Sequence, residues 1–496
     1  MTTWGRRRAA ALLAGAGLLG ALLLVSGDDR VDPRTPPALP GLPPPFLGVA
    51  VVGNGELTAA VDAYGSVVDL RAPGPAGRGL IENPAERQAA GTVAVDTGIQ
   101  PWVRIDDSPS LPMWRADRIR QRYLPGTNVL RTVAWFSGRR IAVTHAVSGD
   151  RLAIVVGGDG AVVQLRSGVG GDFITRDPRV LTEAAAADRR WLGRSRPLGD
   201  AAPRWAQRMY ERSLLVLRAL TDRRTGAVAA GARDGWAYVW PRDAGAAAIA
   251  LTAAGQGAEA ERIVRFLLAL DLEGAARFHG DGSPVPGRAG QGDAIGWVAA
   301  AAEATGIIGS APHAARILSG TYPVPWRDRS DYWEGEPGDY LANAIASGEP
   351  AVADLYGGKL PARFVRQPDQ PDSGLDSAAA WAVRPFAIPP LFPRARGTML
   401  RLLRDAGRYG LLPGEGWGGG EDPWSAPTAW TAWSLAALGE RRQALRLMEA
   451  LRRSATPAGD LPERVDARTG IPRSTTPLAW SHAFAILALR ELWPSP

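Results

Sequence analysis

Four groups of carboxylates beside aromatic residues stand out between Trp236 and His482 of this 496-residue chain. Trp236, Tyr238, Trp240, Arg242 and Asp243 form the first, and Asp331, Tyr332, Trp333 and Glu334 the second. Trp417, Glu421, Asp422 and Trp424 form the third; Glu463, Asp466, Trp480 and His482 form the fourth. Flat aromatic faces pack on the C–H faces of sugar rings, and Arg and Asp make paired hydrogen bonds to vicinal hydroxyls. Two separated Glu carboxyls are what glycosidic cleavage needs: one protonated to donate to the leaving oxygen, one ionised to act on water or on the anomeric carbon. Singly, each group has a plainer reading. A Trp in a helical domain is more often core, a lone Glu such as Glu334 or Glu463 is more often a solvated face, and His482 on an apolar helix is more often a packing residue. Asp466 ahead of Thr469 and Gly470 fits a turn.

Other chemistries are excluded by composition. With no Cys there is no disulfide, thiolate metal site, cysteine nucleophile or lipid anchor, and the four His residues lack zinc-binding spacing, so no metal is expected. Gly-x-Ser-x-Gly, phosphate-loop and dinucleotide motifs are missing, so no cofactor is expected. The net charge is +7, of which Arg6, Arg7 and Arg8 supply three; the remainder is too small for a nucleic-acid partner. Every other basic residue except Lys359 is Arg, so the high pI reads as compositional bias more than as a basic binding face.

The elements that must position these residues fall into segments. Arg6 to Arg8 precede the uncharged run Ala9 to Val25, so residues 1–27 read as a signal peptide or membrane anchor. Residues 28–45 carry seven prolines and read as a tether. This predicts a protein outside the cytoplasm, anchored or secreted, that meets the membrane only through its amino-terminal segment. From 46 to 168 short alternating runs separated by turns predict an antiparallel β-sandwich, with strands at Leu57–Val61, Ser66–Leu70, Thr132–Phe136, Ile141–Val147, Leu152–Val156 and Val162–Leu165. Residues 169–202 lack a clear period and read as a linker. From 203 to 496 the period becomes helical. Leu251–Gly255 and Leu435–Gly439 each end one apolar helix and lead within five residues to another, with weaker copies near Trp297 and Met399. Such αα-hairpins fit a closed toroid or a solenoid.

Taken in order, the motifs resemble those of glycoside hydrolase family 15, which holds glucoamylases, glucodextranases and some trehalases. They are Tyr238-Val-Trp-Pro-Arg-Asp243, Gln291-Gly-Asp293, Asp331-Tyr-Trp-Glu334, Gly420-Glu-Asp-Pro-Trp424, Leu461-Pro-Glu463 and Thr476-Pro-Leu-Ala-Trp-Ser-His482. The resemblance covers roughly Trp205 to Trp493, and the sandwich is similar to the amino-terminal domain of bacterial members. It implies an (α/α)6 toroid with Glu334 as general acid and Glu463 as general base. It also implies Arg242 and Asp243 as a clamp on the terminal glucose, and Trp240 and Trp424 as aromatic lining. Trp236, Tyr238, Trp333 and Asp293 belong to the same expected substrate-binding set, Asp293 with Gln291 on a loop near the pocket. Three positions depart from the pattern: Trp236 in place of a Tyr, Arg464 after the base, and Gly335-Glu336 after the acid. Arg464 would favour an ionised Glu463, and Glu336 a protonated Glu334. The implied activity is exo-acting, inverting release of glucose from α-linked oligo- or polysaccharides. The competing reading is a carbohydrate-binding or cell-envelope protein on the same barrel, with little turnover.

Overall fold

The computed structural model describes residues 39–495, apart from 45–46, 82–97, 159–160, 168–172, 234, 308–339 and 369. The run Ala9–Val25 lies outside the described residues, and so do Trp333 and Glu334. No helix among the described residues is long and apolar enough to cross a membrane.

Two sheets form the first half. The first runs β1 (Ala50–Gly53), β2 (Thr58–Val61), β3 (Val67–Ala72), β5 (Ile99–Ile105) and β11 (Ala161–Ser167), with β4 (Arg78–Gly79) on β3 and β6 (Leu111–Pro112) on β5. The second runs β12 (Ile174–Thr175), β10 (Arg151–Gly158), β9 (Arg139–Ser148), β8 (Leu130–Phe136) and β7 (Arg118–Tyr123). All pairs are antiparallel except the short β10–β12 contact. Inward side chains of both sheets, among them Leu70, Ile99, Phe136, Ile141 and Ile154, make one core with Trp114 from the 3-10 turn Met113–Arg115. Alternation is the cause, because every second residue of a strand faces the same way. The β2–β3 turn closes because Asp62 accepts the N–H groups of Tyr64 and Ser66, at 2.9 and 2.8 Å, while Gly65 takes φ +84°. Leu39 and Leu42, from the stretch read as a tether, pack against this core.

Within the stretch read as a linker, α1 (Arg179–Leu192) buries Val180, Ala184, Ala185, Asp188 and Trp191 and lies against β9 and β10. Half of its apolar residues are alanines, and Ala184 and Ala185 share the buried face with Val180 and Trp191.

An (α/α)6 toroid follows. Its inner ring is α3 (Pro241–Ala253), α5 (Ala294–Thr305), α6 (Tyr340–Ser347), the 3-10 turn Ser377–Ala382, α9 (Ser425–Ala437) and α11 (Ala479–Leu492). Each of these touches the next, and α11 touches α3, which closes the ring. Inner helices are apolar or small on every side and almost wholly buried, whereas α2 (Arg204–Leu220), α4 (Gly257–Leu268) and α10 (Arg441–Ser454) carry one apolar stripe and pack outside. Trp297, Trp381, Trp430, Trp480 and Phe484 fill the bore, with edge-on ring contacts of 5.1 to 5.8 Å.

Candidate active site

Three inner helices start at one end of the toroid, each after a residue in extended backbone: Trp240 before α3, Trp424 before α9 and Leu478 before α11. Pro241 fixes the first φ of α3 and needs no N–H partner there. The chain therefore turns sharply into the helix and leaves Trp240 at the mouth, with Arg242 and Asp243 in the first turn. Gly231 lets the neighbouring loops close on this site: a Cβ there would stand 2.8 Å from Thr475 Oγ1 and 2.9 Å from Trp236 Cβ.

One pocket is lined by Ala230, Trp236, Trp240, Arg242, Asp243, Arg288, Trp424, Glu463, Leu478 and Trp480. Seven of the residues singled out for sugar chemistry meet here: Trp236, Trp240, Arg242, Asp243, Trp424, Glu463 and Trp480. Arg242 is buried and held by three neighbours. It donates through Nη1 to Gln291 Oε1 at 3.0 Å and to Asp293 Oδ2 at 3.1 Å, and Nη2 lies 3.6 Å from Asp243 Oδ2. Its guanidinium also sits 4.7 Å from the Trp480 ring. Asp293, expected among the substrate-binding residues, is fully buried behind Arg242 and does not line the pocket; it holds Arg242 from behind instead. Tyr238 also stands back from the pocket, edge-on to Trp240 at 6.3 Å and to His279 at 5.3 Å.

The Glu463 loop is fixed at successive residues. His482 Nε2 accepts the Leu461 N–H at 2.9 Å, so this nitrogen carries no proton, and Nδ1 meets Ser213 Oγ at 2.9 Å. Burial holds His482 well below the usual histidine range. The residue that looked like simple packing thus holds the backbone two positions before Glu463. Pro462 O accepts from the Ser425 hydroxyl, Glu463 O from Ser425 N–H at 2.9 Å, and Glu463 N–H donates to Thr475 O at 2.9 Å. The Glu463 carboxylate accepts from the Ser474 hydroxyl. Arg464, expected to keep this group ionised, makes no ion pair with it among the described residues. Its backbone instead bridges to Trp424, and its carbonyl accepts from Arg473 N–H.

Of the remaining candidates, Trp417 stands edge-on to Trp424 at 5.4 Å. Asp422 accepts from Ala467 N–H, and Asp466 caps its own turn through Arg468, Thr469 and Arg473. Ser474 and Arg288 were not legible as site residues. Neither belongs to an aromatic or acidic group, and only the folded loops bring Ser474 to Glu463 and Arg288 to the pocket wall.

No family model matches the chain, and no curated protein matches it in sequence. Solved structures match in fold. A bacterial glucoamylase in complex with acarbose aligns over 92% of this chain and 96% of its own, with a TM-score of 0.65 at 13% identity. A wild-type glycosidase aligns over 59% of this chain and 98% of its own, with a TM-score of 0.49 at 21% identity. The glucoamylase from Saccharomycopsis fibuligera aligns over 60% and 96%, with a TM-score of 0.44 at 14% identity. The likeness to the bacterial glucoamylase spans nearly all of both chains, so the sandwich-plus-toroid arrangement is the fold expected from the order of the motifs.

Proposed function

We propose that this chain is a glycoside hydrolase that releases glucose from the ends of α-glucosides by single displacement. One observation carries the reading. Trp240, Arg242 and Asp243 before and within α3, Trp424 before α9 and Glu463 before α11 are separated by more than two hundred residues, yet they line one pocket. Aromatic walls with a buried Arg–Asp pair suit a sugar ring presenting vicinal hydroxyls, and a buried carboxylate beside them suits a base. Glu463 would take a proton from water while Glu334, assigned by the motif order, protonates the leaving oxygen. The bacterial glucoamylase of the same fold was solved with acarbose, which supports an α-glucoside as the ligand class here.

Purified protein incubated with maltose, isomaltose, trehalose and dextrin should release free glucose from at least one of them. Proton NMR should show β-glucose first. Initial α-glucose would mean a covalent intermediate and would remove Glu463 as base; binding without release in all four would favour the carbohydrate-binding alternative. The Arg6–Arg8 cluster and the run that follows it support export, and recovery of the intact chain from the cytosol would refute that part.

A further inference from the structure

Composition alone does not account for the arginines of the second sheet. Along β7, Ile119 and Gln121 point into the sandwich while Arg118, Arg120 and Arg122 are exposed. Register places Trp135, Val133 and Arg131 of β8 opposite those three, and Arg140 of β9 opposite Trp135. Five arginines therefore share the outer face of three adjacent strands, about 7 Å apart along a strand and about 5 Å between strands. Arg122 and Arg131 stand directly opposite, an arrangement that like charges disfavour. Arg118 lies 3.9 Å above the Trp135 ring.

Among the described residues none of the five forms an ion pair with a carboxylate, and the buried Nε of Arg131 has no acceptor. The acids nearby are otherwise engaged: Asp117 accepts the Ser137 N–H at 2.6 Å, and Asp106 pairs with Arg139 at 2.8 Å. Elsewhere buried arginines have partners, as in Arg218–Asp188 and Arg242–Asp293. α1 covers a different part of this sheet, around Ala146. The position also matters. β7 ends at Tyr123, whose hydroxyl lies 3.0 Å from Asp460, three residues before Glu463. The row of arginines thus leads away from the loop that carries the base.

We propose that this face is a docking surface for an anionic polysaccharide, whose repeating phosphate, sulfate or carboxylate groups meet the guanidinium lattice. Charge complementarity argues for the polyanion. The choice of a polysaccharide rests on the glycosidase reading, because a polymer held here keeps its ends at high local concentration near the pocket. Binding to such a polymer releases counterions and weakens steeply with salt.

The test measures binding of the full-length protein to dextran sulfate and to neutral dextran, which share a backbone and differ in charge. Dextran sulfate should bind, and R120Q/R122Q/R131Q should weaken it at least tenfold and lower the slope of log K against log salt by about three. R363Q/R404Q/R442Q, which removes three exposed toroid arginines, should change it less than twofold. R120E alone should weaken it several-fold, which keeps the test open should the triple variant fold poorly. Equal losses in both triple variants would reduce the effect to net charge and overturn the proposal. It would also be overturned by arginine-dependent binding to phosphatidylcholine/phosphatidylglycerol vesicles without binding to dextran sulfate, since the face would then belong to a lipid surface. Maltose turnover, read separately, tests the glycosidase reading: intact polymer binding with no turnover would fail that reading alone.

Discussion

The hydroxyl of Tyr123 on the sandwich donates to Asp460 Oδ2 at 3.0 Å, across 337 residues of sequence, and ties the first domain to the loop that ends in Glu463. Arg212 of α2 completes the junction: its guanidinium lies 3.8 Å from the Tyr123 ring and its Nε 3.5 Å from Asp460 Oδ1. Tyr123→Phe leaves a buried carboxylate oxygen without its donor, which should cost about 1–3 kcal/mol of unfolding free energy. Glucose release should fall in kcat more than KM changes, because the base is displaced while the clamp stays in place. Urea denaturation and steady-state kinetics on the same variant check both.

Asp460 and His482 should pull the pH dependence of stability in opposite directions. Burial pushes the Asp460 carboxyl up to about 6, so between about pH 4 and 6 the folded chain keeps a proton that the unfolded chain gives up. Its contribution to stability therefore falls as pH rises through that window. His482 is held neutral, so below its ordinary value of 6.5 the unfolded chain takes up a proton that the folded chain refuses, and stability falls as pH falls. Asp460→Asn should accordingly lose more stability than the wild type between pH 6 and 4, by up to about 3 kcal/mol. Parallel denaturation curves for the two proteins would contradict it.

The Ser474 hydroxyl donates to the Glu463 carboxyl, a bond that favours the ionised form. Removing it in Ser474→Ala should raise the pKa of the base, so the acidic limb of the kcat/KM profile should move to higher pH by about one unit. Activity at neutral pH should fall less than about tenfold, whereas Glu463→Gln should lower turnover about a hundredfold or more. A profile unchanged in Ser474→Ala would remove this tuning role.

Arg242→Lys tests the clamp. A lysine cannot match the forked geometry toward Gln291, Asp293 and Asp243. kcat/KM should fall by about 10- to 100-fold, while circular dichroism stays unchanged. Asp293→Asn should lose activity in the same direction although its side chain does not line the pocket, because Arg242 would lose the nearer of its two carboxylate partners.

The sequence by itself determined the succession of parts. Alternation placed six of the twelve described strands within a few residues, as with Ile141–Val147 inside β9, and the Leu251–Gly255 and Leu435–Gly439 corners fall where α3 gives way to α4 and α9 to α10. These patterns are local: a strand must present every second residue to a core, and a helix must present one stripe. β7 was not legible, since its outward residues are arginines and its inward ones include Gln121, which bonds to Asp62 O and to Thr132. Only the tertiary structure decided that Asp293 stands behind Arg242, that Ser474 and not Arg464 bonds to Glu463, and that Arg118, Arg120 and Arg122 meet Arg131 and Arg140 on one face. Each depends on strand register or on loops from distant hairpins meeting at one end of a closed ring, and no spacing along the chain encodes those meetings.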